Sequence, residues 1–218
     1  MGDQINLPQV LCVEGKDDYH FFLNFLKSLQ LKSQVDLIHV NGVTTFKDTL
    51  NAITNFDTVT TLAIICDADY TKDNHGKEKR FEEVGGIVSG LGFKCPRQYN
   101  SFATRASENE KISGIFICTA PDSEEGSIED LILSALNQES HLCIRSFFEC
   151  AKESYKNKAE ESKKKLQAFL AGFTKEYVSS FGFACEKNPH PFNNFEHKNF
   201  DELKSFLENF NNAGLTSS

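Results

Sequence analysis

The chain has no tryptophan, no Cys-x-x-Cys pair, no apolar run near membrane-spanning length and no excess of positive charge. Without a Cys-x-x-Cys pair, its seven cysteines (Cys12, Cys66, Cys95, Cys118, Cys143, Cys150 and Cys185) suggest neither a zinc knuckle nor a disulfide framework, and their number is odd. Cys12, Cys66 and Cys118 stand inside apolar runs and read as small buried hydrophobes in a reducing compartment. No stretch approaches the roughly 20 apolar residues of a membrane span, and Met1 to Pro8 lacks the basic region and apolar core of a signal peptide. The chain therefore reads as cytoplasmic, with no membrane partner. Lys and Arg number 23 against 31 Asp and Glu, a net charge of −8. Coating of nucleic acid by bulk electrostatics is thereby excluded, although a local basic groove is not.

What is present is a 218-residue chain, 39% hydrophobic, with 20 Phe to fill an aromatic-rich interior. It is long enough to bury a core without help from disulfides or metals. The first half alternates strand and helix, the pattern of a parallel sheet covered on both faces. Gln9 to Val13 is a short apolar run ended by Glu14-Gly15, and Asp17 to Leu31 follows with Tyr19, Phe22, Leu23, Leu26 and Leu29 at helical spacing. Asp36 to Val40 repeats the strand, a helix is expected from about Thr45 to Asn55, and Thr60 to Cys66 forms a very apolar third strand ending in Asp67-Ala68-Asp69. A helix over 79–91 ends at Gly92, and Phe93 to Asn109 shows no clear periodicity. Lys111 to Cys118 restores a strand, and Ser127 opens a helix to Leu136 as its N-cap, with Asp130 at the third helical position. Beyond residue 138 the pattern is helical: His141 to Ala151, a charged stretch through Lys165, Leu166 to Phe181, and a last helix with Phe200, Leu203, Phe206, Leu207 and Phe210 on one face. The expected organisation is an α/β domain over 1–138, a helical extension over 139–212 packed on it, and a disordered tail at 213–218.

Acids recur where the strands end. Glu14, Asp17 and Asp18 follow the first strand, Asp67 and Asp69 the third, and Asp122, Glu124, Glu125, Glu129 and Asp130 the last. In a parallel sheet these ends share one edge, where α/β folds place their ligands, so acids distant in sequence converge there. Residues two apart in an extended segment project to the same side, which lets Asp67 and Asp69 reach one cation. Two such charges at 4 Å repel by about 4 kcal/mol at an effective dielectric near 20, so a cluster must protonate, separate or bind a counter-charge. Mg²⁺ or Mn²⁺ suits carboxylates without His or Cys and leaves room for a phosphate. The plainer reading of a lone Asp after a strand is a helix cap, and Asp17, Asp18 and Asp130 each fit it.

The runs Val13-Glu14-Gly15-Lys16-Asp17-Asp18 and Ile65-Cys66-Asp67-Ala68-Asp69 resemble the Toprim domain, with its Glu after the first strand and Asp-x-Asp after the third. Ala120 to Asp130, Leu166 to Ala171 and the Phe-rich last helix are similar to a small prokaryotic Toprim-like family related to overcoming-lysogenization-defect nucleases. The resemblance implies a Toprim-like, Rossmann-like, mainly parallel sheet flanked by helices, with a helical C-terminal extension and a Mg²⁺ or Mn²⁺ site at the carboxyl edge of the sheet. By position it implies Glu14 as general acid/base or metal-linked carboxylate, Asp67 and Asp69 as ligands, Asp18 as a further acid, and Ser127 with Glu129 helping to hold a second metal. Lys16 and Lys72 lie beside this site and could offset charge. Where many Toprim proteins place a third Asp, this chain has Thr71, with Asp73 two beyond, which leaves the number of metals open.

The implied function is a Mg/Mn-dependent phosphoryl-transfer enzyme, a nuclease acting on DNA or RNA. A second reading is a non-catalytic module that binds a partner protein or nucleic acid. No second domain supplies a topoisomerase tyrosine, and no cysteine cluster supplies a primase zinc ribbon. A GxxxxGK[ST] loop is also missing, so an ATPase that accompanies the larger nucleases would be a separate chain. A response-regulator receiver needs a Lys after its fifth strand, and no later strand ends in one. Nucleic-acid contacts are expected at Arg97 and Arg105, with Tyr99 and Phe102 between them for stacking, and along the Lys-rich stretch 152–165, which reads equally as a solvated helix face.

Overall fold

In a computed structural model, the described residues are 5–42, 45–53, 56–69, 76–136, 138–150, 158–173, 181, 184 and 195–215. Five strands, β1 (Gln9–Val13), β2 (Asp36–His39), β3 (Thr61–Asp67), β4 (Ser101–Phe102) and β5 (Ile112–Cys118), form one sheet in the order β2-β1-β3-β5-β4. The first four in that order run parallel, and β4 closes the edge antiparallel. β4 lies in the stretch without periodicity, because a two-residue strand is too short to show any.

The strands β1, β3 and β5 are apolar on both faces because helices cover both. Alternate residues divide between two layers, as a two-residue side-chain period requires. Leu11, Val13, Ala63, Ile65, Phe116 and Cys118 pack with α1 (Lys16–Ser28), α4 (Ile128–Ser134), α6 (Lys158–Phe173) and the last helix, α7 (Asp201–Leu215). Val10, Cys12, Leu62, Ile64, Cys66, Ile115 and Ile117 pack instead with α2 (Phe46–Ala52) and α3 (Lys77–Gly90). The three cysteines expected as buried hydrophobes, Cys12, Cys66 and Cys118, are buried free thiols.

The phenylalanines account for the first layer. Phe25 lies 4.8 Å from Phe195 between ring centres and 5.6 Å from Phe200, while Phe102 lies 4.7 Å from Phe206 and 5.8 Å from Phe210. The Phe102 ring takes the place a side chain would need at Gly114, so the edge strand can close over β5 only because that position has no Cβ. At the same face Gln9 Nε2 donates to the Phe210 carbonyl at 2.8 Å, tying the end of α7 to the start of β1.

Boundaries in the helical extension differ from expectation. The helix expected over 166–181 is α6, which starts at Lys158, so the charged stretch is helical from there on; 151–157 and 174–180 lie outside the described residues. The last helix continues to Leu215, into the stretch expected as a disordered tail. The remaining helix, α5 (Gln138–Cys150), packs beside α6. Among the described residues no helix is long and apolar enough to cross a membrane.

Candidate functional site

The turns after β1, β3 and β5 lie side by side at the carboxyl edge because the register sets Val13 beside Ile65 and Asp67 beside Cys118. Glu14, one residue past β1, therefore reaches across to the end of β3, where its Oε2 accepts from the Asp67 N–H at 3.3 Å. The Asp67 Oδ1 in turn accepts from the Ile128 N–H at 2.9 Å, at the start of α4. Carboxylates from two strand ends thus meet α4, the helix that follows β5, and this helix brings Glu129.

These side chains line a cavity of about 460 Å³. Glu14, Asp18, Asp67 and Glu129 share it with Lys16 and Lys163, and Leu166, Leu170 and Phe181 form an apolar side. Glu129 is 5% exposed, and its Oε2 has no hydrogen-bond partner among the described residues, while Lys163 Nζ stands 4.0 Å from Oε1.

Burial raises three of these carboxyl groups, and neighbouring acids add to the rise. Asp18 is pushed up to about 7, by burial first and then by Glu129, against the stabilising bond from the Gly15 N–H at 2.8 Å. Asp67 is raised well above the usual carboxylate range by burial and by Glu129, Asp18 and Glu14. Glu14 is raised by burial, with the Asp67 amide and Arg80 opposing. Carboxyl groups from three separated turns thus line one cavity at the edge where the strands end.

Asp69 takes a different direction. The same-side argument assumes that the strand continues, but β3 ends at Asp67 and Asp69 adopts a left-handed backbone, φ 62°. Its amide donates to the Gly126 carbonyl at 2.9 Å, and its carboxylate pairs with Arg80. Arg80, 8% exposed, also donates from Nε to the Asp67 carbonyl at 3.0 Å and from a terminal nitrogen to Glu83 at 2.9 Å. It clamps the turn that presents Asp67. Sequence reading gives no sign of this, since a buried arginine in a charged helix looks like any surface arginine.

Ser127 and Asp130 are capping residues. The Ser127 N–H and Oγ each donate to Asp130 Oδ2 at 2.8 Å, and Ser162 Oγ donates to the other Asp130 oxygen at 2.6 Å. Ser127 thereby fixes the start of α4 and the place of Glu129. Asp18 caps α1 through Gly15 and lines the cavity as well. Gly126, at φ 139°, makes the turn into α4; a Cβ there would stand 3.3 Å from Thr119 Cα. Lys16 is exposed at the cavity, and Lys72, Thr71 and Asp73 lie outside the described residues.

Arg105, one of the two arginines proposed for nucleic acid, is away from this edge. Arg105 donates to Thr61 Oγ1 at 3.1 Å, at the opposite end of β3 and about 20 Å of strand away from Asp67. The aromatics between them are committed elsewhere: Phe102 to Phe206 and Phe210, and Tyr99 to Phe81, with Lys77 over its ring. Arg97 is exposed. Of the Lys-rich stretch, Lys163 faces the cavity and Lys165 pairs with Glu161 at 2.6 Å, whereas Lys152 and Lys156 lie outside the described residues.

The donors are hard oxygens, and the unpartnered Glu129 Oε2 is an open position of the kind a cation fills. Among the described residues, however, no three His, Cys, Asp or Glu side chains form a ready-made cation cage. Backbone amides hold one oxygen each of Glu14, Asp67 and Asp18. Such a donor set fits Mg²⁺ or Mn²⁺, which takes one or two carboxylates and keeps several waters, rather than a cation that needs an all-protein shell.

The fold is thus an open, mostly parallel α/β sheet with an acidic cavity at its carboxyl edge, the edge at which such sheets place ligands. The chain belongs to the family described as "Protein of unknown function (DUF3226)", which matches residues 8–212. It is similar in fold to hypothetical protein PH0156 from Pyrococcus horikoshii OT3, at 15% identity and a TM-score of 0.52, covering 93% of this chain and 95% of that one. Looser likenesses are to the C-terminal region of the Burkholderia pseudomallei OLD protein (12% identity, TM-score 0.49, 96% and 99% covered) and that of the Xanthomonas campestris pv. campestris OLD protein (10%, 0.44, 96% and 97%). No curated protein matches the chain significantly.

Proposed function

We propose that this protein is a Mg²⁺- or Mn²⁺-dependent phosphodiester hydrolase of the Toprim type, acting on DNA or RNA. The observation that carries the reading is the convergence of Glu14, Asp18, Asp67 and Glu129, from three separated turns, on one cavity whose charge calls for a cation. The Toprim-like sequence around Glu14 and Asp67 supports it.

Asp67 and Glu129 would hold the cation with Glu14, which when bound polarises phosphoryl oxygens and activates water. Glu14, raised by burial, is suited to carry a proton to or from the reacting oxygens. Asp18, raised to about 7, can hold a proton near neutrality and relay it. Lys16 and Lys163 place positive charge beside the cavity and offset that of a phosphate backbone. Arg80 and Ser127 position Asp67 and Glu129 without touching substrate, and Asp69 stays with Arg80. An ATPase on a separate chain would complete the larger assembly implied by the resemblance.

The test is cleavage of plasmid, single-stranded DNA and short RNA in Mn²⁺ and in Mg²⁺ by wild type, Glu14→Gln and Asp67→Asn. Each substitution is expected to lower the rate by about 100-fold or more. Cleavage that survives both at the wild-type rate would refute the reading and favour a non-catalytic binding module.

A further inference from the structure

Beside the acidic cavity, and sharing Lys16 with it, is a second cavity of about 250 Å³ whose other lining includes Tyr19, His20 and His39. His39 is the last residue of β2, and the register places it beside Val13, so it stands one strand spacing, about 4.8 Å, along the carboxyl edge from the Glu14 turn. The Tyr19 ring meets both imidazoles edge-on, 5.6 Å from His20 and 5.9 Å from His39, which holds the pair on the rim between α1 and β2.

The chemistry here is opposite to that of the neighbouring cavity. A chain of net charge −8 has collected an ammonium and two imidazoles in one recess, and an imidazole can donate an N–H in either protonation state. The lining acid, Asp36, already accepts from the Asn6 and Leu7 amides at 2.6 and 2.7 Å. His39 Nδ1 is buried and has no hydrogen-bond partner among the described residues, and His39 itself lines the recess.

We propose that the Lys16–His20–His39 cavity is a second phosphate subsite, which binds the backbone phosphate next to the one presented to the carboxylates. The inference rests on the hydrolase reading for its ligand, a nucleic-acid strand. It adds that the strand crosses the sheet edge from β1 toward β2, and that the enzyme prefers a substrate with at least two linked phosphates to an isolated phosphodiester.

The first arm of the test uses no metal and no catalysis. Binding of a fluorescein-labelled single-stranded oligothymidylate is followed by anisotropy, with thermal melts confirming that each variant is folded. The double variant His20→Gln/His39→Gln should weaken binding about tenfold. Lys16→Met should reduce the slope of log K against log salt by about 0.7, one phosphate contact on a single strand. If the double variant does not fold, His20→Gln alone must weaken binding at least threefold. Unchanged affinity and slope overturn the subsite. The second arm compares kcat/KM in Mn²⁺ on the oligonucleotide and on bis(p-nitrophenyl) phosphate: a several-fold greater loss on the oligonucleotide supports the subsite, and equal loss on both overturns it. A wild-type chain that cleaves neither substrate defeats the hydrolase reading, while the metal-free arm still decides whether the cavity binds phosphate.

Discussion

Replacing Asp18 by Asn removes a charge that the fold holds at a disadvantage. The folded protein binds the Asp18 proton up to about pH 7, against an ordinary value of 3.8 in an unfolded chain, a difference of about 3 units or roughly 4 kcal/mol. For an acid raised in this way, the folded state carries the extra proton between the two values. Stability is therefore highest below about pH 4, falls as pH rises to about 7, and is flat above. Other carboxylates act in the opposite sense; Glu110, for example, is lowered by the Ala106 N–H and by Lys94. The informative quantity is thus the difference between wild type and variant. Asn keeps an oxygen to accept from the Gly15 N–H, so the cap survives in weaker form. Allowing for that weakening, Asp18→Asn should be more stable than wild type by about 2 kcal/mol at pH 8 and no more stable at pH 4. For a chain of this length the gain amounts to a Tm higher by about 4–8 °C. Divalent cation supplies the second comparison. Mg²⁺ at 100 times its Kd should stabilise wild type by about 2.7 kcal/mol at pH 8, and Asp67→Asn should abolish most of that gain. Scanning calorimetry at the two pH values, with EDTA and with Mg²⁺, reads all four conditions. A variant that melts lower than wild type at pH 8 without metal would refute the claim that these carboxylates repel one another in the fold.

Further outcomes are expected at Arg80 and at two glycines. Arg80→Met keeps the bulk and removes three polar contacts, so it should lower stability by about 2–3 kcal/mol in thermal melts. Because Arg80 opposes the rise in Glu14, it should also move the acid limb of the cleavage pH profile upward, and Arg80→Lys should restore part of that shift. Gly114→Ala drives a methyl group into the Phe102 ring and should cost about 2 kcal/mol, whereas Gly86→Ala, exposed in α3 with nothing near the new carbon, should be neutral or stabilise by up to about 1 kcal/mol; urea denaturation compares the pair.

Much of the sheet was legible because its residues repeat a single local rule. β1, β3 and β5 are apolar on both faces, each is followed by acids, and each of these acidic turns comes back to the same edge once the strands are parallel. That rule puts Glu14, Asp18, Asp67 and Glu129 among the acids of one edge, because strand ends are marked by composition and parallel order needs only the intervening helices; Asp18 and Glu129 are singled out from the other acids by the resemblance. β4 could not be read, since its pairing with β5 depends on Gly114 and on Phe206 and Phe210 from a helix some hundred residues later. Arg105 misled for a similar reason: a loop arginine among aromatics has no fixed place until its partner Thr61 puts it at the far edge.

Asp69 shows where local inference stops. Its spacing from Asp67 fixes a common direction only while the backbone stays extended, and the extension ends one residue too early. What turns it away is a pair of long-range partners, the Gly126 carbonyl and the Arg80 guanidinium, each belonging to a different turn or helix. The same Arg80 holds the Asp67 carbonyl, so the group that withdraws one acid from the cavity is the one that anchors the other. The Asp-x-Asp spacing thus encodes two unequal positions, one committed to the cavity and one held by a counter-charge that the sequence supplies eleven residues further on.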